Sequence, residues 1–186
     1  MNKMKNNAFK ENIFPAIVLV CICLVVTLAL AGTYSVANPK ILDNQQKAAD
    51  EARMLVLPDG DSFTAYNGKL AEGVLDCYMA DNRAGMAVTS EYKGFGGAVK
   101  VMIGINANGE VTGVTVTEHG ETPGLGTKAM TVEYLEQYKG FADAVGGHIN
   151  NDENIDAITG ATITSNAVYC SVVEALEQFK KCGGVK

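Results

Sequence analysis

The 186-residue chain has no tryptophan, four prolines and two histidines, His119 and His148, and its five cysteines include no C-x-x-C pair. With so few imidazoles and no paired thiols, no zinc or haem site can be assembled from the usual spacings. Positive charge is scarce too: 15 Lys and Arg stand against 21 Asp and Glu, a net of −6. The first twelve residues hold Lys3, Lys5 and Lys10 against Glu11, so everything after them carries about −8. Such a balance excludes nucleic acid as a main partner, because phosphate binding needs a basic footprint. Charge is absent altogether from Ile13 to Ala31, where Thr27 is the only polar side chain. As a helix at ~1.5 Å per residue, this run covers about 30 Å, the thickness of a bilayer's hydrocarbon core.

The apolar run divides the chain. Basic residues precede it and Lys40 is the first charge after it. The positive-inside rule then puts residues 1–12 in the cytoplasm, a transmembrane helix at 13–34, and the remainder outside. Ala29-Leu30-Ala31 also fits a signal-peptide cleavage site, but the run exceeds the ~7–15 residues of a signal core, which favours a retained anchor. No Asp, Glu, Lys, Arg or His lies within the span, so it offers no ion pathway of its own. Cys21 and Cys23 sit mid-span, while Cys77, Cys170 and Cys182 are scattered and spell no disulfide framework.

Asn38-Pro39 reads as a helix start, and Ile41, Leu42, Ala48, Ala49, Ala52, Leu55 and Val56 follow at helical spacing until Pro58. Residues 35–60 are therefore expected to form an amphipathic connecting helix, and 61–186 one extracytoplasmic domain. Strand-like runs follow at Val74–Met79 and Met86–Glu91. A hairpin joins Val99–Ile105 to Val111–Thr117 through Asn106-Ala107-Asn108-Gly109. Glycines from Lys93 to Gly97 mark a loop, Thr131–Tyr138 reads as helix, and Ile155–Ile158 as a short strand. A last helix is expected from about Ser165, closing at Lys180-Lys181 and Gly183-Gly184. Hairpins and helices without βαβ repeats predict an α+β domain with antiparallel strands.

Two loops carry residues suited to chemistry. Gly124-Leu125-Gly126-Thr127-Lys128-Ala129 satisfies G-x-G-x-x-A, yet no βαβ unit surrounds it, which excludes the dinucleotide fold. A glycine loop that brings backbone N–H groups to a flat or anionic ligand remains, alongside a plain tight turn. The second loop, Asp156-Ala157-Ile158-Thr159-Gly160-Ala161-Thr162-Ile163-Thr164-Ser165, gathers hydroxyls ahead of the last helix. Thr164 or Ser165 could cap that helix, and a phosphate could sit over its N-terminal N–H groups; both readings stay open.

Asp156-x-x-Thr159-Gly160-Ala161-Thr162 resembles the flavinylation motif of FMN-binding domains in ion-pumping redox complexes, and Glu121-Thr122-Pro123-Gly124-Leu125-Gly126 resembles their second hallmark. The N-terminal anchor is the third point of likeness. Among these domains the chain is similar to G subunits of Rnf complexes, its length being shorter than is usual for C subunits of sodium-pumping NADH:quinone reductases. The resemblance implies that a flavin transferase moves FMN from FAD onto Thr162 as a phosphodiester. It further implies an electron carrier, without catalysis of its own, in a complex of membrane and iron–sulfur subunits. That complex would pass electrons between ferredoxin and NAD⁺ and move Na⁺ or H⁺. Thr159, Thr164, Ser165 or helix N–H groups would then neutralise the phosphate, and Glu121–Lys128 would border the isoalloxazine ring. Lys128 could stabilise reduced flavin, or be a solvated surface lysine. His119 could tune the flavin or be a simple loop residue, and Glu121 could contact the ribityl chain or only shape its turn. A tethered FMN carrier of another reductase, and a non-catalytic tethered domain, are the alternatives. No metal site and no catalytic residue are expected.

Overall fold

The computed structural model describes residues 2–145 and 147–184, with side chains from Ile13 onward. Among these, α1 runs from Asn2 to Val56 and divides between two compact units, 1–48 and 49–186. From Ile13 on, α1 is long and apolar enough to cross a membrane. It does not restart at Asn38-Pro39. Pro39 lies inside one continuous helix, where a missing N–H removes one backbone bond without ending the flanking turns. The helix does stop just before Pro58, at Val56.

The second unit is an α+β domain built on one antiparallel meander in the order β1-β2-β3-β4-β5. The strands are β1 Phe63–Ala65, β2 Val74–Ala80, β3 Gly85–Lys93, β4 Ala98–Asn106 and β5 Val111–His119. The β4–β5 hairpin forms where alternating valines and the Asn-Gly turn place it, with Gly109 at φ +87°. β1, only three residues long, has no counterpart among the strands expected from the sequence. The short α2 Val132–Leu135 and the long α3 Thr162–Cys182 complete the domain, together with single 3₁₀ turns at Gly126–Met130, Glu136–Tyr138 and Ile149–Asn151.

Strand alternation assigns the faces. Met86 and Val88 of β3, and Val99, Val101, Ile103 and Ile105 of β4, are buried with Val168, Tyr169, Val172 and Leu176 of α3 in one core. At the centre, the Ser90 hydroxyl donates to the Ser171 carbonyl of α3 at 2.8 Å. On the opposite face Ala87 and Met102 pack with Val56 at the end of α1. There Gly104 and Gly113 pair across β4 and β5, and a Cβ on Gly104 would lie 2.1 Å from the Val56 carbonyl oxygen. Thr112 fixes that same oxygen with its hydroxyl.

Of the apolar face expected along 41–56, only Val56 is buried; Ile41, Leu42 and Leu55 stay exposed. Arg53 takes the inward place instead, stacked 3.6 Å over the Tyr78 ring and paired with Asp50 at 2.5 Å. Ile155–Ile158 is likewise no strand. The Asp156 N–H goes to Gln137 Oε1 at 2.8 Å and the Ile158 N–H to Ser165 Oγ at 3.1 Å. Side chains hold these two donors, which point to the same edge of an extended segment, so that edge is not free for a ladder. Cys77 and Cys170 are buried, and burial, then the neighbouring Cys182, pushes the Cys77 thiol up to about 12. All cysteines are free thiols, and the described residues contain no cluster suited to a metal.

Candidate functional site

Both loops singled out in the sequence meet at one cavity of about 330 Å³, lined by Phe95, Glu121, Thr122, Leu125, Gly126 and residues Gly160 through Thr164. Its floor is the beginning of α3. That helix starts at Thr162, three residues earlier than Ser165, with Ala161 as its N-cap and no side chain capping it. Ala161 donates its N–H to the Ile158 carbonyl at 2.9 Å, and Ser165 is the first helical residue to donate back, to Ala161 at 2.9 Å. The N–H groups of Thr162, Ile163 and Thr164 are left over, at the positive end of a 21-residue helix.

Neither hydroxyl offered as a cap performs that task. Ser165 is fully buried and accepts from the Ile158 N–H, which folds the Asp156–Gly160 segment back over the helix start. Thr164, also buried, donates to Glu121 Oε2 at 2.8 Å. The other Glu121 oxygen accepts the Gly96 N–H at 2.9 Å. One buried carboxylate thus joins the β3–β4 loop, its own loop and the first turn of α3. Charge-assisted bonds of this kind are about twice as strong as neutral ones. Glycine is required around it. A Cβ on Gly94 would lie 2.2 Å from Glu121 Oε1, and one on Gly126 would lie 2.5 Å from Oε2.

The remaining predicted residues occupy other places. Asp156 and Thr159 do not line the cavity, and Asp156 engages Gln137 through its backbone. Gly124, at φ +77°, donates its N–H to the Thr127 hydroxyl at 2.9 Å, so these two residues close the turn rather than face the cavity. Lys128 is exposed in the Gly126–Met130 turn and does not line the cavity. His119 accepts the Glu121 N–H on Nδ1 at 3.3 Å, bracing the loop. Phe95 and Ile163, which the motifs do not single out, do line it. An aromatic residue standing among Gly94, Gly96 and Gly97 is the available signal for the first.

An uncapped helix start facing a cavity with an apolar rim (Phe95, Leu125, Ile163) suits a ligand that is anionic at one end and flat and apolar at the other. Residues 94–177, which contain the whole lining of this cavity, match the FMN-binding domain family. The chain is 34% identical to the G subunit of the proton-translocating ferredoxin:NAD(+) oxidoreductase complex of Clostridium ljungdahlii, covering 88% of this chain and 89% of that one. It is 32% identical to the G subunit of the Na(+)-translocating ferredoxin:NAD(+) oxidoreductase complex of Acetobacterium woodii, over the same shares. A crystal structure of NqrC from Shewanella oneidensis resembles it with a TM-score of 0.45 at 23% identity, covering 69% of this chain and 70% of that one. The chain belongs to the family of G subunits of these ion-translocating oxidoreductase complexes.

Proposed function

We propose that this chain is an electron carrier that holds FMN through a phosphodiester on Thr162, outside the membrane, in a complex coupling ferredoxin:NAD⁺ electron transfer to Na⁺ or H⁺ translocation. The observation that carries this reading is the position of Thr162: first residue of an uncapped helix, on the cavity where both motif loops meet. Its hydroxyl has no hydrogen-bond partner among the described residues. A phosphate on that oxygen lies beside the three leftover N–H groups, where the helix dipole favours negative charge.

The attachment balances without an outside redox agent. The Thr162 oxygen bonds to the phosphorus of the FMN half of FAD, the pyrophosphate bond breaks, and AMP departs. The hydroxyl proton needs a base, because threonine is a weak nucleophile unaided. Glu121, the one carboxylate on the cavity, is committed to Gly96 and Thr164, so the base and any metal belong to a flavin transferase. Once bound, the flavin supplies the electron chemistry; the protein supplies position and surroundings. A covalent bond suits an extracytoplasmic address, since a weakly held cofactor would be lost to the surrounding volume. The apolar 13–34 segment anchors the domain, with the basic N-terminus inside, and other membrane and iron–sulfur subunits complete the complex.

The test is ultraviolet fluorescence of the denatured band after co-expression with a flavin transferase. The wild-type chain is expected to fluoresce and Thr162→Ala to be dark. A dark wild-type band, or flavin retained by Thr162→Ala, overturns the assignment.

A further inference from the structure

The β3–β4 connection is built almost without side chains. Gly94 donates its N–H to Gly97 at 2.7 Å, closing a tight turn over Phe95 and Gly96. Gly94 and Gly96 have no room for a Cβ: the first would meet Glu121 Oε1, and the second would lie 2.2 Å from the Gly120 carbonyl oxygen. Gly97 sits at φ +152°. The loop is therefore pressed flat against Gly120-Glu121, and Phe95 is the one side chain it presents. Its ring is 72% exposed on the cavity, beside the exposed Leu125 and Ile163. Single apolar side chains on a surface call for no explanation. Three around one opening, one of them on a loop otherwise stripped to glycine, are a different matter.

Resting on the FMN reading above, we infer that Phe95 covers one face of the isoalloxazine ring, and that Glu121 sets the height of this cover over the flavin-bearing helix. The fastening is direct: Glu121 holds Gly96, next to Phe95, with one oxygen and Thr164, two residues from Thr162, with the other. The cover and the attachment point are thereby tied to one carboxylate. A flat π system is the occupant best matched to an aromatic side chain, which gains by offset stacking and excludes water from the face it covers. Leu125 packs 3.6 Å from where a Gly160 Cβ would stand, so the opposite rim also reaches the flavinylation motif.

The experiment uses the full chain in detergent, co-expressed with a flavin transferase, and measures quenching of flavin fluorescence by acrylamide, a neutral quencher. Attached FMN is counted separately by intact mass. Uncovering one of two ring faces in Phe95→Ala should raise the quenching slope about twofold with the mass unchanged, and Phe95→Tyr should restore it. A wild-type slope in Phe95→Ala, with FMN still attached, overturns the cover and leaves the ring of Phe95 facing a protein partner. A wild-type chain without FMN mass overturns the parent reading and the cover with it.

Discussion

Glu121→Ala tests whether one carboxylate holds the site together. The substitution removes the acceptors of a buried hydrogen bond, from the Thr164 hydroxyl at 2.8 Å, and of a part-buried one, from the N–H of the exposed Gly96 at 2.9 Å. Bonds to a charged group contribute about 1.5–3 kcal/mol each, and a buried donor left unpaired costs about 1–3 kcal/mol. These costs overlap, and water can reach the Gly96 side, so the expected loss is about 2–4 kcal/mol. Glu121→Gln should lose only about 1–2 kcal/mol, since its carbonyl can still accept from Gly96 while its NH₂ faces Thr164, whose hydroxyl rotates to accept. Thr164→Val should lose about 1–2 kcal/mol, and the pair should couple by about 1 kcal/mol in a double-mutant cycle. Thermal unfolding of the full chain in detergent, followed by tyrosine emission because tryptophan is absent, reads these values at about 3–5 °C per kcal/mol. A loss under about 1 kcal/mol for Glu121→Ala, or strict additivity of the pair, would refute the clamp.

Two further substitutions separate the supporting contacts from the surface. Burial, and then the charges of Glu177 and Glu72, hold the Glu174 carboxyl up at about 7, and its Oε2 is a buried oxygen without a partner. An acid raised in the folded state keeps a proton that the unfolded chain releases, so stability falls as pH rises from 4.5 to about 7 and then levels. Glu174→Gln should match the wild type at pH 4 and exceed it by about 1 kcal/mol at pH 8, after discounting for a half-buried side chain. Parallel melting curves at both pH values would contradict this. Ser165→Ala should cost about 1 kcal/mol, speed hydrogen exchange at the Ile158 amide and leave flavin attachment intact; an unchanged Ile158 amide would show that the bond contributes nothing.

Local signals make much of the fold legible. β2, β3 and the β4–β5 hairpin lie within two residues of where period-two apolar runs and the Asn-Gly turn put them. The closing helix ends as its glycines require, with Gly183 left-handed at φ 73°. What misleads is pattern without partners. Helical spacing along 41–56 predicts a buried stripe, but only the last turn of α1 meets the sheet, and the glycine pair that admits it is set by strand register rather than by spacing. Apolar Ile155–Ile158 resembles a strand because nothing nearby announces that Gln137 and Ser165 take the N–H groups of Asp156 and Ile158.

The candidate site divides along the same line. The two motif loops are visible as motifs, whereas their meeting depends on Glu121 reaching partners 25 and 43 residues away. Local pattern sets capping and phosphate binding as rivals for the same hydroxyls. In the folded domain they are not rivals. Thr164 and Ser165 both turn away from the helix end, one to Glu121 and one to Ile158, and each stays satisfied there. Because neither caps, three N–H groups remain open beside Thr162. A buried end without partners would be costly, and here the cavity keeps it accessible to a ligand. The missing cap and the proposed anion site are thus one feature: a Ser, Asp or Asn at position 161 would take up with its own side chain one of the donors that the alanine leaves free.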